Sequence, residues 1–553
     1  MGREDDQAVT GGDAPQSRQR LFPTWVLLLS GGIILSTLIP HAWQRLTAKP
    51  GEHFAGIVEQ VDDQNLYLTY VEQVRRGALL VEVYQTAERV PPLLPSLPWL
   101  AIGLLARALP VPILVTYHLV RLLWGLTYLL LVWVLMREFF SEPAARAFGF
   151  VAAALGSGLA AVADGVNALT GRHVLMSSDI MPEMWGYHSL WLPHFALALS
   201  LLALLLMLLL RAYRRPSGWL AAGAAATLAL LALIHPYDVA VIAPLLVGHF
   251  VYCRIARPEG WRGAAINLWA LAGTIPAVGI LWWQRTTNPL VASWAEQNVL
   301  RSPPPDAYLL GLGLILPLAI GGRLAIGRRR RETARDWLMI FWPLVAAVAV
   351  YSYPLVPFER RCVEGLHLPL AILAAAGLAW WVVPWLQSRL RMVARRATAC
   401  AMALLLVGIL PTDVWLLARL STTNEPVIPA DWARTFEWIE AAAPAEARFM
   451  TTHLTGTFLA RYALRHVHMG HWHVTVDVGR KREMAAELFA EDTSPQRRLA
   501  ILREAGCGWV AADGQQAHLL VEVEGLDEVR AAPEMTVYRL RKPPPPPRLP
   551  ATR

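Results

Sequence analysis

Long apolar stretches alternate with short arginine clusters along the chain, and that alternation leaves few folds open. A helix needs about 20 mostly apolar residues to cross the hydrocarbon core of a bilayer. Segments of that kind fall at 22–40, 111–136, 148–165, 190–210, 218–234, 239–256, 264–283, 307–325, 337–354, 365–386 and 397–418. Only 17% of the 553 residues are charged, whereas average soluble domains carry about 25%. The 55% hydrophobic content and mean hydropathy of +0.37 exclude disorder, collagen, a coiled coil and a disulfide scaffold. The sequence predicts a polytopic α-helical membrane protein with about eleven spans.

The first segment is followed by no small-residue cleavage site and is expected to be a retained helix. Residues 93–109 are shorter and interrupted by proline, which predicts an interfacial helix, with a full span as the alternative. Orientation follows from arginine placement, since cytoplasmic loops hold the excess of basic residues. With the N-terminus inside, Arg137, Arg146, Arg211, Arg214, Arg215, Arg254, Arg257, Arg262, Arg323, Arg328 to Arg331, Arg335, Arg389, Arg391, Arg395 and Arg396 all fall inside. The alternate short loops hold only Arg172, Arg285, Arg301, Arg360 and Arg361. The net charge of +8 therefore reads as topology and not as nucleic-acid binding. The Ala/Leu/Arg bias suggests a GC-rich bacterial genome, and the expected location is a bacterial inner membrane.

The expected organisation is a cytoplasmic tail (1–21) and a membrane domain (22–420) with a large first outer loop (41–110). An extracytoplasmic α/β domain (421–542) and a proline-rich disordered tail (543–553) complete it. In the α/β domain ADWARTFEWIEAAA and PQRRLAILREAG read as helices, EARFMTTH and GWVAAD as strands.

Nearly all informative polar residues fall in the outer loops. VDDQNLYLTYVEQVRRG predicts an amphipathic helix with Leu66, Tyr67, Tyr70, Val71 and Val74 on its apolar stripe and Gly77 as its stop. Asp62 and Asp63 open it, and two readings stand side by side. Carboxylates there cap orphan backbone N–H groups, or one caps while the other faces a cavity as a base. HVLMSSDIMPEMWGYHSLWLPH carries Asp179, Glu183, His188 and His194, with Asp179 and Glu183 as candidate ligands for a divalent cation or as incidental loop acids. His235 and Asp238 sit at a helix break beside Pro236. YPLVPFERRCVEGLHLPL brings Glu359, Arg360, Arg361, Glu364 and His367 to the outer leaflet. Paired arginines suit a lipid phosphate, because guanidinium holds its oxygens bidentately, and ordinary headgroup contact is the competing reading. Arg285 is a further candidate, as is Arg121, which lies with His118 inside a span where an ionisable group lines a cavity or pairs by default. His466, His468, His471 and His473 share a face if extended and then suit zinc, although no carboxylate or Cys completes the set. Cys362 and Cys507 are the one disulfide pairing considered.

An N-in first helix, a long outer loop with VDDQNLYL, about eleven spans and an outer α/β domain together resemble the GT-C superfamily of integral membrane glycosyltransferases. The acidic motif of the first outer loop carries that resemblance, and Asp62 and Asp63 are its matching positions. The resemblance implies transfer of a sugar from a polyprenyl-phosphate donor to a glycan, lipid or protein acceptor. A first-loop Asp would act as base, with Arg285, Arg360, Arg361, Arg121, His235 and Asp238 toward the lipid phosphate. It implies no metal for a monophosphate donor, and a divalent cation for a pyrophosphate donor. A transporter, flippase or polymerase-like protein for lipid-linked glycans, or a non-enzymatic envelope protein, are the alternative readings.

Overall fold

In the computed structural model, which describes residues 21–173, 185–256 and 261–547, each of the eleven apolar segments falls on a helix or a helix pair. Seven helices are long and apolar enough to cross a bilayer: Thr24–Thr47, Ile113–Phe139, Pro193–Ala212, Pro236–Ala256, Trp261–Thr287, Glu359–Arg389 and Ala394–Thr422. Two further apolar segments are broken. Pro143–Leu155 meets Ala160–Thr170 at 51°, and Pro305–Leu312 meets Ile315–Arg329 at 75°. The last two, Gly218–Ile234 and Ala334–Ala349, have 17 and 16 residues, slightly fewer than the ~20 a bilayer core asks for.

Glycine explains the breaks and the tightest helix contact. The two broken pairs lie against each other: the Leu159 N–H donates to the Leu310 carbonyl at 2.8 Å, and Gly158 sits so close to the Leu310 and Gly311 carbonyls that a Cβ has no room. Gly322 and Gly377 likewise let the helices Ile315–Arg329 and His367–Gly377 meet backbone to backbone, as small residues do between membrane helices.

The helix Leu97–Ala108 has 12 residues and lies on the first-loop helix Val61–Arg75. A Cβ on its Gly103 would meet the Val74 side chain and stand 2.9 Å from the Val71 carbonyl. At 12 residues this helix is shorter than the ~20 that a bilayer core asks for.

Past the last span, five strands form one sheet in the order His466–Val467, Arg448–Met450, Trp509–Asp513, Met535–Leu540, Leu526–Ala532. The first three are parallel and the last two antiparallel to their neighbours. Parallel neighbours need crossovers, and the helices His453–Ala463, Val478–Leu488 and Pro495–Glu504 supply them. Pro543 and Pro547, at the start of the proline-rich tail, rest on Gly508 and Gly506.

The first outer loop and the C-terminal region, separate in the sequence, share one core. Strand Glu52–Phe54 pairs antiparallel with Val427–Pro429, His53 opposite Ile428. Val61, Leu66 and Val71 of the first-loop helix are buried with Phe436, Phe449 and Phe458. A buried ion pair, Lys481 Nζ to Glu88 Oε2 at 2.6 Å, ties the same two parts. The disulfide is not formed: Cys362 belongs to the membrane core, Cys507 packs behind the sheet, and both are free thiols.

Candidate active site at the junction of first loop and outer domain

The first-loop helix starts at Val61 after Gln60, which takes a left-handed φ of 46° and offers no side-chain cap. Gly77, at φ +106°, follows its C-terminus. Among the described residues neither aspartate side chain accepts a backbone N–H of the helix; both sit in its first turn, where the helix dipole favours them, and each turns to a histidine of the C-terminal domain. Asp62 Oδ2 accepts from His453 Nε2 at 2.6 Å, and its other oxygen accepts from Thr457 Oγ1 at 3.3 Å. Asp63 Oδ1 lies 3.0 Å from His471 Nε2.

The tautomer of His471 follows from its surroundings. Its Nδ1 accepts from the backbone N–H groups of His473 and Val474, at 3.3 and 3.4 Å. Nε2 therefore carries the proton and donates it to Asp63. Burial alone would push the Asp63 carboxyl up. The hydrogen bond and charge of His471 outweigh it, with help from His473 and Arg361, and hold the pKa down at about 2. Asp63 is ionised at neutral pH, and Asp62, with a quarter of its side chain exposed, is the more open of the two.

Aromatic rings pack together beyond Asp63. Tyr67, one turn further on, stacks on Trp99 at 4.1 Å between centroids and meets His194 edge-on at 5.1 Å. Arg361 lies 5.1 Å from the Tyr237 ring, and its charge is felt at Asp63 and His473. Arg360 follows the same turn, its N–H bonded to the Leu300 carbonyl. Glu359 is a structural acceptor, taking the backbone N–H groups of Ser302 and Tyr353 at 2.9 and 3.0 Å.

Of the other sequence-derived candidates, those among the described residues make no hydrogen bond or ion pair with either aspartate. His235 and Asp238 pair with Glu364 and not with an arginine: His235 Nδ1 stands 3.1 Å from Asp238 Oδ1 and 2.9 Å from Glu364 Oε2. Arg121 is buried in its span and donates to Thr37 Oγ1 and the Leu190 carbonyl at 2.9 and 3.0 Å. Arg285 is exposed at the end of the helix Ile275–Thr287. Among the described residues, no hydrogen bond, ion pair or ring contact joins Arg121 or Arg285 to either aspartate. Asp179 and Glu183 lie outside the described residues.

The four histidines do not gather around a point. His466 Nδ1 bonds the Thr86 carbonyl, His468 Nε2 the Lys481 carbonyl, His471 takes Asp63, and His473 packs on Trp294. The strand ends at Val467, so the period-two face that would have made a zinc site stops there. His453 was missed from sequence; only its place after Thr452, a good helix N-cap, set it apart.

Comparison of the whole molecule with solved structures shows a likeness of fold to three transferases. The archaeal oligosaccharyltransferase AglB from Archaeoglobus fulgidus, in complex with an inhibitory peptide and a dolichol-phosphate, has a TM-score of 0.54 at 12% identity, over 89% of this chain and 70% of that one. ArnT from Cupriavidus metallidurans, bound to undecaprenyl phosphate, has a TM-score of 0.54 at 13% identity, over 93% and 97% of the two chains. The arabinofuranosyltransferase AftD from Mycobacteria has a TM-score of 0.55 at 15% identity; 93% of this chain covers 41% of that one. No protein-family model and no curated protein sequence matches the chain.

Proposed function

We propose that this protein transfers a sugar from a polyprenyl-phosphate-linked donor to an acceptor hydroxyl or amide at the extracytoplasmic face of a bacterial inner membrane. The carrying observation is the meeting of Asp62 and Asp63 with His453 and His471 at the loop–domain junction, on a GT-C fold, with Arg361 close to Asp63. AglB and ArnT were solved with polyprenyl phosphates bound, which supports the donor class.

In this reading Asp62 takes the acceptor proton, because it is the more accessible carboxylate and its other oxygen is already held by His453. Asp63, held down near pKa 2, is too weak a base for that step and orients the acceptor instead. The acceptor heteroatom bonds to the anomeric carbon as the carbon–oxygen bond to phosphate breaks, inverting the centre. The electron pair leaves with the polyprenyl phosphate, whose charge Arg361 and Arg360 meet.

The test is turnover of a labelled polyprenyl-phosphate sugar panel by purified protein in detergent. Asp62→Asn is expected to lower the rate at least about a hundredfold, the usual scale for loss of a general base, with lipid binding retained. Full activity in Asp62→Asn overturns the assignment of the base. Lipid binding by wild type with no turnover of any donor favours the transporter reading.

A further inference from the structure

We propose that His235, Asp238 and Glu364 form a binding site for one divalent transition-metal cation of the Mn²⁺ or Zn²⁺ class. The three donors come from three short elements that converge. His235 closes the helix Gly218–Ile234, Asp238 ends the turn Pro236–Asp238, and Glu364 follows the turn Glu359–Val363. Among the described residues this is the one group of three or more His, Cys, Asp or Glu side chains whose donor atoms all lie within 4.8 Å of one another.

The spacing is that of a coordination sphere. Ligands about 2.1 Å from a common ion stand about 3 Å apart across an octahedral edge and about 3.4 Å apart in a tetrahedron. The imidazole Nδ1 stands 2.9 Å from one carboxylate and 3.1 Å from the other. All three residues are at most 4% exposed. Two carboxylates brought this close in a buried place repel each other, and a dication neutralises both where a protonated imidazole neutralises one.

A second observation points the same way. Asp238 Oδ2 is buried without a hydrogen-bond partner among the described residues. A second carboxylate oxygen left free beside the cluster is available to a cation. One imidazole with two carboxylates is a mixed set, too hard for copper(I) and better suited to Mn²⁺ or Zn²⁺ than to an all-oxygen Ca²⁺ site.

The site does not depend on the transfer reaction. A role in it does rest on the transferase reading: Tyr237, between two of the ligands, carries Arg361 on its ring, so ion and guanidinium would offer two positive groups to one phosphate.

Metal binding is the test, read on full-length protein stripped with chelator and purified in detergent. Mn²⁺ is followed by electron paramagnetic resonance and Zn²⁺ by competition with a chromophoric chelator. One ion per chain is expected, with affinity at least tenfold weaker in Asp238→Asn and in Glu364→Gln, and unchanged in Asp63→Asn. Pulsed resonance on Mn²⁺-loaded wild type should show a single nitrogen coupling, which needs no variant to fold. Three results overturn the proposal: no stoichiometric binding of either ion, binding that lacks the nitrogen coupling, or binding lost in Asp63→Asn and kept in Asp238→Asn. None of these depends on whether a sugar is transferred.

Discussion

At the scale of single residues, the contact between Asp63 and His471 has a measurable signature in pH. The carboxyl is depressed from 3.8 to about 2, so the folded state holds its proton less tightly than the unfolded chain. Such a group contributes stability above the unfolded value, and that contribution is lost as pH falls through the folded one. At 1.36 kcal/mol per unit the contribution is about 2 kcal/mol. The thermal midpoint of the detergent-solubilised protein should fall between pH 4 and pH 2. Asp63→Asn and His471→Ala should both flatten that part of the profile. His471→Ala should also cost about 1–3 kcal/mol at pH 7, because it leaves a buried carboxylate without its donor. A profile of wild-type shape in both variants would remove the coupling.

Elements were legible in the sequence where their causes are local. The first-loop helix, its glycine stop, the two helices and two strands of the outer domain, and the apolar segments all follow from spacing and end signals within a few residues. The partners of the aspartates do not, since His453 lies 391 positions from Asp62 and His471 lies 408 from Asp63. No periodicity within the first loop can indicate a histidine contributed from a distant part of the chain. The same limit hid the joint between the loop and the outer domain, which hangs on Lys481 and Glu88, each 7% exposed at the side chain. Breaking a buried pair by one partner costs about 3–5 kcal/mol, whereas replacing both with apolar side chains is often neutral. Glu88→Leu should therefore lower thermal stability strongly, and Glu88→Leu with Lys481→Met should restore most of it. A double variant no more stable than the single one would show that the pair does more than balance charge. At the helix contact beneath the site, Gly103→Val should cost about 1–3 kcal/mol by overpacking, read as a lower midpoint, because Val74 and the Val71 carbonyl leave no room for a side chain.

Across the whole molecule, the shared core imposes a count. The first loop follows the helix Thr24–Thr47 and the outer domain follows Ala394–Thr422, so a common core puts both on one side of the membrane. The number of crossings between them must be even, which the arrangement without a span at 93–109 satisfies and an added span there would not. The two short helices carry the chain from one end of the bundle to the other. Gly218–Ile234 begins just after Arg214, which lies 3.7 Å from Glu138, and ends at His235, which meets Glu364. Ala334–Ala349 begins where Arg335 bonds the Glu138 carbonyl and ends near Tyr353, whose N–H donates to Glu359. The end gathered around Glu138 is the arginine-rich one, which the charge rule assigns to the cytoplasm. A single cysteine at Arg331, in a background lacking the native four, should be labelled by an impermeant maleimide only in inverted vesicles. One at Asn424, beside the strand that closes the loop–domain joint, should be labelled only in right-side-out vesicles. Labelling of both positions from the same side would mean that the three helices between them, Ala334–Ala349, Glu359–Arg389 and Ala394–Thr422, do not make three crossings.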